Sequence, residues 1–173
     1  FCYDKSLILS LGDEVQILAL YGENKGFQQI ASPVLVKTIS QGNDVTTKSG
    51  TKVEKTAAEI YETLTAAGMT EAKVYDTYGA QYLAISGYVV LNGGYTYLAT
   101  SADGTGCVSL YANKGLKASD YVGCEVVVYG FARGCSIGSA YLTIQVQSIQ
   151  AAETDANKAA VELGKVSFEK EYE

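Results

Sequence analysis

The sequence predicts an all-β fold with one or two helices, in which a five-stranded barrel follows a separate hairpin. Two observations lead to this prediction. From Gln81 onward, apolar and polar residues alternate with the period of two that is typical of half-buried strands, and glycine-rich turns separate the alternating segments. In addition, a strand, a glycine-rich turn and a second strand occur twice, at residues 11–40 and 122–150. A duplicated hairpin indicates a duplicated module.

The two copies of the hairpin match at one offset in their first strand and, after a one-residue difference in the turn, in their second strand. The pairs are Gly12 with Gly123, Glu14 with Glu125, Val15 with Val126, Ile17 with Val128, Val36 with Val146 and Ile39 with Ile149. We expect both copies to form the same strand–turn–strand unit. The core positions of that unit are predicted to be Val15, Ile17, Val126 and Val128.

Five strands make up the predicted barrel. The first begins near Gln81 and has Gly87 where a barrel strand would need to bend. The turn at 92–94, Asn-Gly-Gly, leads into the second strand at 95–100, and the turn at 102–106 leads into the third at 107–111. The second copy of the hairpin supplies the fourth and fifth strands. These joins predict a small closed sheet.

One amphipathic helix interrupts the strand pattern at residues 52–67. Ala57, Ile60 and Leu64 recur there at helical spacing, and Gly68 supplies a stop. Thr51 and Glu54 fit a capping box. The apolar stripe of this helix is expected to cover a barrel end or the junction of two modules.

The composition limits the classes of function. The 173 residues include 13 basic and 19 acidic side chains, with a net charge of −6, no histidine and a single arginine. Such a chain lacks the basic field that attracts a phosphate backbone, which argues against non-specific nucleic-acid binding. The absence of histidine removes the commonest general base and metal ligand. We therefore predict no catalytic residues, no cofactor, no bound metal and no hydrolase activity.

Four cysteines are present, at Cys2, Cys107, Cys124 and Cys135. They lack the close paired spacing of a zinc ribbon or a redox motif. They can be paired into disulfides in more than one way, but isolated buried thiols in strands are the interpretation that the sequence favours.

Three motifs of the barrel segment indicate a known fold. They are YLAISGYVV at 82–90, the turn DGTG at 103–106 and VGCEVVVYGF at 122–131. With them, residues 83–149 resemble the oligonucleotide/oligosaccharide-binding (OB) fold, and in particular the OB-like modules that occur in tandem in secreted and surface proteins of Bacteroidetes. The chain departs from the usual arrangement, since residues 112–120 are too short for the helix often found between strands three and four, and its clear helix precedes strand one.

The resemblance implies four parts of the chain. Residues 1–42 are the C-terminal half of a first OB-like module, 43–69 a linker with the amphipathic helix, 70–150 a complete barrel, and 151–173 an extension with a short helix near 155–163. The resemblance also implies a secreted, periplasmic or cell-surface location, with any signal or lipid anchor lying outside this chain. No stretch is long and apolar enough for a transmembrane helix.

Four tyrosines form the best candidate site. OB folds bind ligands across strands two and three, where aromatic rings serve as stacking platforms. Alternation directs Leu98 to the core, so Tyr95 and Tyr97 share the opposite face. Tyr111 joins them from the third strand, and Tyr88 is expected alongside. The rings either bind sugars or bases, or pack on the helix and the preceding module.

Charged residues supply two further candidates. Arg133, in the loop of the second hairpin, is suited to binding a carboxylate or phosphate, and with Lys114 and Lys117 it is the only candidate for a basic strip. Acidic residues at turns and strand entries could bind calcium or act in catalysis only if the fold brings them together. The sequence favours the interpretation that they stabilise turns. These acids are Asp13, Glu14, Asp103 and Glu125.

The sequence thus predicts a non-enzymatic binding or spacer module of a secreted or cell-surface bacterial protein. Two alternatives stay open, a carbohydrate-binding OB module and a nucleic-acid-binding accessory domain. The expected partner is a glycan or another domain of the same polypeptide.

Overall fold

A computed structural model describes residues 7–10, 12–43, 52–112, 116–152, 154, 157 and 169–171 of the chain. Strands dominate, as predicted. The first elements are β1 (Glu14–Asn24), β2 (Phe27–Ser40), β3 (Val53–Thr56), α1 (Ala57–Thr65) and α2 (Glu71–Tyr78). They are followed by β4 (Tyr82–Asn92), β5 (Tyr95–Ala99), β6 (Gly106–Ala112), a 3-10 turn (Ala118–Tyr121), β7 (Glu125–Ser136), β8 (Tyr141–Ala151) and β9 (Glu169–Glu171).

Five of these strands close into a ring, in the order β4, β5, β6, β8 and β7, and β7 pairs back onto β4. The β6–β8 pair is parallel and the other pairs of the ring are antiparallel. The predicted all-β fold with a five-stranded barrel is confirmed. β3 adds to β4 and β9 adds to β8 outside the ring.

The hydrophobic core fills the ring because alternate residues of each strand point inward. In β4, Leu83, Ile85 and Val89 are buried, and β8 contributes Leu142 and Ile144. α1 closes one end of the barrel. Its buried side chains are Ala57, Ile60 and Leu64.

The predicted bounds of this helix are wrong at the N-terminal end. Residues 53–56 form β3, and the capping box uses Thr56 and Glu59 instead of Thr51 and Glu54. The Thr56 hydroxyl accepts from the Glu59 N–H at 3.1 Å, and the Glu59 carboxylate accepts from the Thr56 N–H at 2.7 Å. The N–H and the hydroxyl of Thr56, which both donate to the Glu59 carboxylate, lower the pKa of Glu59. The sequence holds two such boxes, and only the second directly precedes the apolar stripe.

α2 was not predicted from the sequence. Thr70 is its N-cap, accepting from the Lys73 N–H at 3.4 Å, and Val74 and Tyr78 are its buried residues. The sequence pattern that could have predicted α2 is weak. It consists of two apolar residues four apart, Val74 and Tyr78, followed by Gly79, and the helix has little more than two turns.

β1 and β2 form a separate antiparallel hairpin, joined by the two-residue turn Lys25-Gly26. Both turn residues have positive φ, 51° and 76°, as the tight turns of hairpins require. The matched segments at 11–40 and 122–150 therefore both form strand–turn–strand units. Their matched glycines agree as well, with φ of 89° at Gly12 and 86° at Gly123.

Burial differs between the two hairpins. Val126 and Val128 are buried as expected, but Val15 and Ile17 are partly exposed, so that part of the prediction is wrong. The physical reason is that β1 and β2 pair only with each other among the described residues, whereas β7 and β8 enclose a core. Much of the hairpin's apolar surface is exposed. Its exposed large hydrophobic residues are Leu18, Leu20, Tyr21, Ile30, Val34, Leu35, Val36 and Ile39.

The tip of the first hairpin docks onto the barrel between α2 and β7. Phe27 is only 3% exposed, and its ring packs edge-on against Tyr75 with centroids 5.3 Å apart. The Tyr75 hydroxyl donates to Gln28 Oε1 at 3.2 Å. On the other side, Cys135 Sγ donates to the Lys25 carbonyl at 3.8 Å. These contacts fix the hairpin relative to the barrel.

Three of the cysteines are buried free thiols, as the sequence favours: Cys107, Cys124 and Cys135. Burial raises the pKa of Cys107 and of Cys135 to about 11. Cys2 lies outside the described residues. So does the predicted helix near 155–163, apart from Asn157, whose Nδ2 donates to the Glu125 carbonyl at 2.7 Å.

Phe27→Ala is expected to lower the free energy of unfolding by about 3 kcal/mol, because it empties a buried aromatic site at the hairpin–barrel contact. Urea unfolding followed by tyrosine fluorescence measures the loss. Leu20→Ala is the control, since Leu20 is 68% exposed on the same hairpin and its loss should change stability by less than about 0.5 kcal/mol. Equal midpoints for wild type and Phe27→Ala would contradict the docking contact.

The buried thiols predict a loss of stability at high pH. The folded pKa of Cys107 and of Cys135 is raised from 9.0 to about 11, so the unfolded state ionises first as the pH rises. The stability from these neutral thiols is full below pH 9 and is lost between pH 9 and 11, by up to about 1.4 kcal/mol per pH unit for each thiol. Urea unfolding from pH 8 to 11, under reducing conditions, measures the slope. A Cys107→Ser/Cys135→Ser variant should show a shallower slope, and an unchanged slope would contradict the prediction.

Candidate ligand-binding groove

A groove of about 410 Å³ crosses the outer face of the barrel. Its floor comes from β5, β6, β7 and β8, and the tip of the first hairpin forms one wall. The lining residues are Asn24, Lys25, Tyr95, Tyr97, Ser109, Leu110, Tyr111, Arg133, Gly134, Tyr141 and Thr143.

Strand alternation places the tyrosines. Leu98 is buried, so its neighbour Tyr97 points outward, beside Ser109 of β6. Tyr95 is 71% exposed and Tyr111 47% exposed, and Tyr97 is partly exposed. The three tyrosines predicted on one face therefore do line one groove.

Arg133 reaches the same groove from the outward face of β7, two residues after the exposed Phe131. It lies within β7 and not in the hairpin loop as predicted, and it is the extra residue of a bulge, since the register with β8 shifts between Ala132 and Gly134. The Arg133 guanidinium carbon lies 3.9 Å from the centroid of the Tyr111 ring. Arg133 Nη1 donates to Gln145 Oε1 at 3.0 Å, and Gln145 Nε2 donates to the Tyr111 carbonyl at 3.2 Å. Tyr111, Arg133 and Gln145 thus hold one another in place.

Sequence reasoning missed two residues of the groove, Tyr141 and Lys25. The ring of Tyr141 meets that of Tyr97 edge-on with centroids 6.1 Å apart. Lys25 Nζ donates to the Tyr141 hydroxyl at 3.1 Å and lies 5.4 Å from its ring centroid. Extending the alternation to β8 would have found Tyr141. Lys25 could not have been found in this way, because only the docking of the hairpin brings it to the groove.

Tyr88 does not join the groove. It lies partly exposed on β4, opposite Ala99, and its hydroxyl donates to Glu125 Oε2 at 3.4 Å. The basic strip differs from the prediction as well. Lys117 does not line the groove with Arg133, and Lys114 lies outside the described residues. The cation that accompanies Arg133 is Lys25.

The candidate acids have local roles. Asp103 accepts from the Ser101 hydroxyl at 2.9 Å within its turn, and Glu14 accepts from the Ser40 hydroxyl at 2.8 Å across the first hairpin. Asp13 Oδ2 accepts a backbone N–H at 2.9 Å from three residues earlier. Within the described part of the chain, no group of three His, Cys, Asp or Glu side chains could hold a metal ion.

Comparison with models of protein families, with curated proteins and with solved structures finds no match for this chain. No helix of the described segments is long and apolar enough to cross a membrane. What the chain binds is therefore inferred from the side chains of the groove.

Tyr95→Ala is expected to change the free energy of unfolding by less than about 0.5 kcal/mol, because its ring is largely exposed. Gly106→Ala should instead cost about 1–3 kcal/mol, since a Cβ at Gly106 would overlap the Cβ and ring of Tyr97. Urea unfolding compares the two variants, and near-ultraviolet circular dichroism reports the displaced tyrosine. A large loss for Tyr95→Ala would show that this ring is structural.

Proposed function

We propose that this chain is a non-enzymatic binding module whose groove holds a carbohydrate. The observation that carries the proposal is the convergence of Tyr95, Tyr97 and Tyr111 on the outer face of β5 and β6. That face is where OB folds bind oligosaccharides and oligonucleotides. The apolar faces of sugar rings stack on tyrosine rings, while tyrosine hydroxyls reach the sugar's own hydroxyl groups.

The rest of the lining supports a sugar ligand. Ser109 and Thr143 lie between the tyrosines and supply hydroxyl groups that both donate and accept hydrogen bonds. Gln145 and Arg133 hold Tyr111 in position before any ligand arrives. A site fixed in advance loses less conformational entropy on binding.

The setting of the module is also a proposal, supported by its sequence motifs and its two hairpins. We infer that the chain comes from a secreted or surface-attached bacterial protein that carries OB-like modules in tandem. The matching hairpins, each opened by a glycine of left-handed φ, support a duplicated unit.

A spacer role is the second candidate, and the hairpin–barrel contact favours it. Buried Phe27 and the Lys25–Tyr141 hydrogen bond join the first hairpin firmly to the barrel. Two consecutive modules joined in this way would keep a fixed orientation. A spacer needs no ligand, so binding measurements separate the two candidates.

Screening on a glycan array, followed by calorimetric titration of the best ligand, tests the binding proposal. Tyr95→Ala and Tyr111→Ala should each weaken binding about five- to 150-fold, because one stacked ring contributes about 1–3 kcal/mol. Tyr61→Ala is the matched control, since Tyr61 is a 45% exposed tyrosine on α1 outside the groove. Absence of any glycan binding would leave the spacer role, and equal losses for Tyr61→Ala would place the ligand elsewhere.

A further inference from the structure

We infer that the groove selects acidic carbohydrates, sugars that carry carboxylate or sulfate groups, and that Lys25 and Arg133 recognise the anion. This inference rests on the proposed carbohydrate-binding function and names the ligand class of the same groove. A lysine of the first hairpin and an arginine of the barrel line the same groove, which the sequence alone does not show.

Lys25 is held at the wall of the groove by the docked hairpin. Its carbonyl accepts from Cys135 Sγ, and a Cβ placed on Gly134 would lie 3.4 Å from the Lys25 Cβ. The backbone of Lys25 is therefore close to the residue that follows Arg133. Its ammonium group lies against Tyr141, which also lines the groove.

Arg133 presents a second cation from β7. Stacking on Tyr111 and the hydrogen bond to Gln145 fix the plane of the guanidinium group. A planar guanidinium matches the geometry of carboxylate and sulfate oxygens, and it keeps its charge at any physiological pH. A fixed fork of donors beside a tyrosine ring suits a sugar ring that carries an acidic substituent.

The charge of the groove is opposite to that of the chain. The whole sequence carries −6, yet the described residues that line the groove include Lys25 and Arg133 and no Asp or Glu. Glu23 and Glu71 line a neighbouring cavity, which shares Lys25 and Tyr141 with the groove. The groove therefore attracts a local anion, while the negative chain around it repels a long polyanion such as nucleic acid.

The test is calorimetric titration of the full chain with matched oligosaccharides, each used in a carboxylated, a sulfated and a neutral form of the same backbone. An acidic form should bind at least about tenfold more tightly than its neutral counterpart, as expected for hydrogen bonds to a charged group, and the advantage should shrink as salt rises. Lys25→Gln and Arg133→Gln should each lower the ratio of acidic to neutral affinity towards one. Arg133→Gln should also weaken binding of the neutral form, because Arg133 helps to hold Tyr111 in position.

Lys37→Gln is the control for Lys25→Gln, because it removes the same charge from an exposed position of the same hairpin outside the groove. It should keep the preference for acidic sugars. Equal affinity for acidic and neutral forms, unchanged in Lys25→Gln, would overturn this inference and leave the carbohydrate-binding function standing. Binding of no sugar at all would overturn both. Single-stranded DNA binding as tightly as the acidic sugar would show that the cations recognise phosphate instead.

Discussion

The closure of β4 onto β7 is the constraint on which the rest of the structure depends. The pairing from Tyr82 with Phe131 to Tyr88 with Glu125 completes a ring of five strands. A closed ring has one inside and one outside, so each strand's alternation is fixed once the ring forms. The strands also approach closely, since a Cβ on Gly130 would overlap the Gln145 carbonyl oxygen. The outward tyrosines of the groove are a consequence of this geometry.

Two features turn the outer face into a candidate site. The outward Arg133 of β7 stacks on Tyr111, and the docked hairpin tip adds a wall that the barrel lacks. The groove is thus a composite of two units, and a change at their contact would alter both the rigidity of the chain and the shape of the site.

Sequence periodicity predicted on which face of a strand each side chain lies. Leu98 and Tyr97 were assigned to opposite faces because neighbours in a strand alternate, and the barrel fixes that alternation. Tertiary geometry could not be predicted in the same way. Lys25 and Tyr141 meet only because the hairpin docks, and nothing local to either residue encodes that contact. The start of α1 was predicted too early because two capping-box patterns lie five residues apart, and Glu54 of the first pattern pairs with β4 as part of β3.

The exposed hairpin has a consequence for how this chain behaves at high concentration. β1 and β2 run for 11 and 14 residues and pair with nothing else in the described segments, so each presents an unpaired backbone edge beside apolar side chains. Long edges of this kind recruit further strands, which makes them starting points for aggregation. The two lysines of the hairpin, Lys25 and Lys37, are its only basic side chains, and one of them is engaged at the barrel. We therefore expect association between copies of this chain to begin at the hairpin rather than at the barrel.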